Sequence, residues 1–157
     1  MINKIQQRLL ASILSLFPIT PALAQVNAYK AILSKDGSTH AMEFISACTT
    51  NIKRSNRRVL EPIVAAIRYS ENGKAGKEFG ILHKRCPNTF RGQAGWCAAT
   101  VQKNYDRWLR TKPKECTTQK FIVFLGARYC PIGADNDPTN LNKNWVGNVT
   151  HYYHKFK

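Results

Sequence analysis

A chain of 157 residues with 24 Lys and Arg against 9 Asp and Glu carries a formal charge of +15, and 43% of it is hydrophobic. That apolar fraction excludes a disordered polycation, and the length excludes a two-domain enzyme with its own cofactor-binding half. No Gly-rich phosphate loop or dinucleotide fingerprint occurs, so no cofactor is implied.

Lys4 and Arg8 precede an apolar run from Leu9 to Phe17, and Ala22-Leu23-Ala24 puts small residues where a signal peptidase reads. This order of charged, apolar and small-residue regions predicts a secretory signal peptide over 1–24, cut before Gln25. Pro18 and Pro21 interrupt the segment, which is too short to cross roughly 30 Å of hydrocarbon. The expected product is one exported domain over 25–157, periplasmic or secreted, with no stable membrane insertion after processing. It keeps 22 basic and 9 acidic residues. Such a surface calls for an anionic partner: peptidoglycan or another envelope polymer, or anionic lipid. Nucleic acid is disfavoured for an exported chain.

Gln25 to Gly37 reads as a short lead-in. The spacing then predicts a helix over Ser38–Ser46, with Ala41, Phe44 and Ile45 on one face, and a second over Val59–Ser70. In the second, Leu60, Ile63, Val64 and Ile67 form the apolar stripe and Pro62 falls in the first turn, where its missing N–H costs nothing. Gly73, Gly76 and Gly80 punctuate the following turn, and Phe79-Gly80-Ile81-Leu82 reads as a short strand. A third helix is expected over Gln93–Leu109 and a fourth over Thr118–Tyr129, ended by Pro131. A last helix with Asn142 as its N-cap carries Trp145, Val149, Tyr152 and Phe156 on one face. The expected class is therefore α+β and predominantly helical, four to five helices with a short β element.

Cys48, Cys86, Cys97, Cys116 and Cys130 all lie in the exported part, where disulfides persist. Their odd number leaves at least one unpaired, and Cys86 with Cys97 and Cys116 with Cys130 are the pairs that close short loops. No Cys-x-x-Cys pair occurs, His83 near Cys86 has no matching second half, and His151 with His154 lacks a third ligand, so no metal site is expected.

Among the nine acids, Glu71 stands out, because it ends the second helix in a glycine-rich turn. There the helix dipole and unsatisfied carbonyls disfavour negative charge and raise the carboxyl pKa. A carboxyl group kept protonated near neutral pH suits a general acid that protonates a glycosidic oxygen. Ala66-Ile67-Arg68-Tyr69-Ser70-Glu71-Asn72-Gly73 followed by Glu78-Phe79-Gly80-Ile81 resembles the lysozyme-like superfamily, in particular the small lytic transglycosylase-type domains of bacteria and phages. Ala94–Thr100 and Arg128–Pro138, with Leu141-Asn142 and Trp145, look similar to the rest of such a domain, so the resemblance covers about residues 59–149. The Glu-Ser-Gly start and the Gly-Leu-Met-Gln segment that many members carry are missing here.

The resemblance implies a lysozyme-like domain that cleaves peptidoglycan as a lytic transglycosylase or muramidase, with Glu71 as acid/base. A hydrolase needs a second carboxylate, for which Glu78 is nearest and Asp135 and Asp137 are more remote. A transglycosylase of this type uses one Glu, the 6-hydroxyl of muramic acid closing an anhydro ring. Tyr69, Asn72, Tyr129 and Asn136 are the candidate substrate-binding residues, whereas Trp96 and Trp145 are expected in the core. The Asn136–Asn142 segment also reads as a capped turn. The competing class is a non-catalytic basic envelope-binding protein with Lys53-Arg54 and Arg57-Arg58 as its patch, and a more distant one is an exported toxin or nuclease.

Overall fold

The computed structural model describes residues 20–71, 73–135, 137 and 139–157, with side chains from residue 25 onward. Six α-helices follow one another: α1 (Thr20–Asp36), α2 (Ser38–Asn51), α3 (Arg57–Glu71), α4 (Phe90–Arg110), α5 (Thr118–Tyr129) and α6 (Trp145–Phe156). Single 3-10 turns at Arg54–Asn56 and Leu141–Asn144 lead into α3 and α6. Most of the signal segment lies outside the described residues, and the expected cut before Gln25 falls within α1.

The stripe Leu60, Ile63, Val64 and Ile67 makes α3 the central helix: all four are fully buried, against α1, α4 and α6. Each such side chain contributes about 1.5–3 kcal/mol through burial. Pro62 sits in the second turn, not the first, because the helix begins at Arg57. One rung of the backbone ladder is therefore missing there. α4 starts earlier than its apolar spacing indicates, since Thr89 caps it by accepting from the Gly92 N–H at 3.1 Å. Thr117 caps α5 in the same way, through the Lys120 N–H.

Two expectations of element type are overturned. Gln25–Gly37 is not a lead-in: Ala28 and Ile32 of α1 are fully buried, and the Arg68 guanidinium reaches from α3 to pair with Asp36 at its end, Nε to Oδ2 at 3.0 Å. The α+β class with a short β element and the lysozyme-like fold are replaced by an all-helical domain, with no strand among the described residues. Phe79–Leu82 pairs with no strand because a side chain satisfies it instead. Gln93 Oε1 accepts from the Ile81 N–H at 3.2 Å and Gln93 Nε2 donates to the Ile81 carbonyl at 3.0 Å. The N-terminal end of the last segment also differs. Asp137, not Asn142, does the capping, its carboxylate accepting from the N–H groups of Leu141 and Asn142. All five cysteines are free thiols in this structure.

Candidate functional site

Glu71 is the last residue of α3, and the packing of that helix through the core fixes where its carboxyl group points. It is half-buried, and Oε1 accepts a hydrogen bond from the indole Nε1 of Trp145 at 2.7 Å. Loss of water pushes the Glu71 pKa above its ordinary value, and the indole N–H, which favours the charged form, opposes this. The carboxyl lies against Gly80. A Cβ at that position would overlap Glu71 Oε2 and force the carboxyl to swing away, and the backbone there has φ +68°, which favours glycine.

Tyr129, at the end of α5, completes the surroundings. Its ring stacks on Trp145 with centroids 5.3 Å apart, and its hydroxyl donates to the Phe79 carbonyl at 2.6 Å. Burial is the largest cause holding its phenol well above the usual pKa, followed by the Cys97 thiol beside it. It therefore stays a neutral donor. Cys130, next in sequence, donates to Asn142 Oδ1 at 2.9 Å and is pushed up to about 11, chiefly by burial. Neither thiol is an activated nucleophile.

Gly80 and Tyr129 form the Glu71 side of an open groove of about 290 Å³, whose other walls include Ile81, His83, Trp96 and Arg128. His83 stacks on Trp96 with ring centroids 4.9 Å apart. An acid in a partly desolvated position beside an aromatic-lined groove can protonate an ether oxygen of a bound sugar and later take a proton back.

The other residues named from the sequence are distributed differently. Tyr129 is brought to Glu71. Tyr69 is not: its hydroxyl donates to the Ala31 carbonyl at 2.8 Å and its ring packs on Tyr152 and Phe156. Glu78 is 7% exposed, and its Oε1 accepts from the Gly76 N–H at 2.8 Å, holding the glycine turn. Asp137 caps the 3-10 turn, Asp135 is exposed, and Asn72 and Asn136 lie outside the described residues. Trp145 is buried as expected but also binds Glu71, 74 residues away in sequence, a contact that no local pattern could reveal. Trp96, expected in the core, is half-buried with a face in the groove. No group of three or more His, Cys, Asp or Glu able to hold a metal occurs among the described residues. None of the helices among them is long and apolar enough to cross a membrane. Comparison of the chain with family models, curated proteins and solved structures returns no match.

Proposed function

We propose that this chain is an exported peptidoglycan-cleaving glycosidase in which Glu71 is the only acid/base, that is, a lytic transglycosylase. The observation that carries the reading is the Glu71 carboxyl, raised in pKa by burial, bonded to Trp145 and set directly behind Gly80, which lines an aromatic groove. The local resemblance of Ala66–Gly73 to transglycosylase-type domains supports the choice of the helix-ending Glu71 as the acid, though not the lysozyme-like fold or the β element at Glu78–Ile81. The placement of Glu78 on the Gly76 turn and of Asp137 on its cap favours a one-carboxylate mechanism.

In that mechanism, protonated Glu71 gives its proton to the glycosidic oxygen as the bond to the muramic acid anomeric carbon breaks. The resulting carboxylate then accepts the proton of the same sugar's 6-hydroxyl, whose oxygen closes the 1,6-anhydro ring. No water is consumed, and Glu71 ends as it began. The excess of basic residues would hold the enzyme to an anionic wall.

Digestion of peptidoglycan by the exported chain and by Glu71→Gln, with released muropeptides weighed, tests the reading. Anhydro products are expected, reduced about 10²-fold or more in the variant. Hydrated products would overturn the one-carboxylate mechanism, and no release from walls of several sources would overturn the enzymatic reading.

A further inference from the structure

A second and larger groove, about 670 Å³, runs between the end of α2 at Asn51 and the first half of α4. It exists because α4 presents Gly95 and Ala99 on that face, leaving little side-chain bulk to meet Asn51, while Gly92 lies close against Pro87. A Cβ at Gly95 would find only Asn51 Nδ2, at 3.5 Å. Trp96 and Thr100 line both this groove and the one beside Glu71, so the two meet over them. Arg91 and Lys103 stand on its walls, both exposed, and neither side chain has an ion-pair or hydrogen-bond partner among the described residues. Twelve residues of helix separate them, about 18 Å at 1.5 Å per residue.

We propose that this groove is a subsite for a carboxylate-bearing stretch of polysaccharide remote from the bond that is cut, with Arg91 and Lys103 pairing to its carboxylates and Trp96 supporting a sugar face at the junction. The assignment rests on the glycan reading of the Glu71 groove. Free small anions fit it poorly: the two cations are too far apart to share one, and the groove is open at the Trp96 junction. A chain that carries a carboxylate at intervals satisfies both cations and continues into the neighbouring groove. Among the described residues no acidic side chain lines either groove to repel it.

Binding is read without cleavage, by cosedimentation of Glu71→Gln with intact sacculi. Adding Arg91→Gln and Lys103→Gln is expected to weaken binding about fivefold, the loss of two exposed charge pairs. Removing two charges elsewhere, with Arg54→Gln and Arg58→Gln, should cost less than twofold. Amidating the sacculus carboxyls should weaken the parent at least as much as the Arg91/Lys103 change does and should abolish the difference between the parent and the Arg91/Lys103 variant. Gly95→Leu, which fills the groove and leaves its charges in place, should weaken binding as well. Equal losses from both charge pairs, no loss from Arg91 and Lys103, or tighter Arg91/Lys103-dependent binding to single-stranded DNA than to sacculi would overturn the proposal. Wild-type chain that releases no muropeptides while this Arg91/Lys103 dependence persists would sink the catalytic reading and leave the subsite standing.

Discussion

Two opposing influences meet on the Glu71 carboxyl: burial favours its neutral form, and the Trp145 indole N–H favours the carboxylate. Trp145→Phe keeps an aromatic ring beside Tyr129 and deletes the donor together with one ring of the indole. The Glu71 pKa therefore rises further. Because the protonated form starts the reaction, the alkaline limb of the pH–rate profile should move to higher pH in this variant. A limb that stays put or moves down, measured by muropeptide release, would show that the indole bond does not tune the acid. The neighbouring Gly80 is a harder constraint. Gly80→Ala forces an L side chain into φ +68° and drives its Cβ into the carboxyl group. The backbone effect alone costs roughly 1–2 kcal/mol. Denaturant melts should register at least that loss, and activity should fall by more than the loss of folded protein explains, because Glu71 must move.

The helices were legible in the sequence to the extent that their stripes are large and apolar. Leu60, Ile63, Val64 and Ile67 announce α3, and Phe121 and Leu125 announce α5. α1 escaped because its buried face is built from Ala28, Ala31 and Ile32, too small to stand out beside the Lys30 and Lys35 that share the helix. The false strand at Phe79–Leu82 had the right local composition, but whether a segment pairs with a strand or with a glutamine is decided by the fold. What holds α1 in place is partly ionic. The Arg68 and Asp36 side chains are each 8% exposed, and Arg68 also reaches the Glu78 carbonyl. Removing one member of a buried pair strands the other, at about 3–5 kcal/mol. Arg68→Met should show that loss in chemical unfolding, and hydrogen exchange in α1 should accelerate more than in α5, which the pair does not touch. Uniform destabilisation of all helices would mean that α1 is no separate unit.

For the molecule as a whole, the candidate acid could be picked from the sequence because so few carboxylates compete with it, but its surroundings could not. Trp145, Gly80 and Tyr129 converge on Glu71 from three separate parts of the chain. The charge is different, since an excess of 15 basic side chains is a property of composition and needs no fold to be read. Much of it lies on exposed loops and helix faces, as at Arg54, Arg58, Lys84, Arg85, Lys112 and Lys114, where attraction to a polyanion is screened by salt. Between 0.1 M and 1 M salt the screening length falls from about 10 Å to about 3 Å. Cosedimentation with sacculi should then weaken by about tenfold or more, since each exposed cation contributes little alone and many act together. Release of product from short soluble glycan fragments, which span only the Glu71 groove, should change far less over the same range. Equal salt sensitivity on both substrates would place the electrostatic contribution in the chemical step and remove the general charge from wall capture.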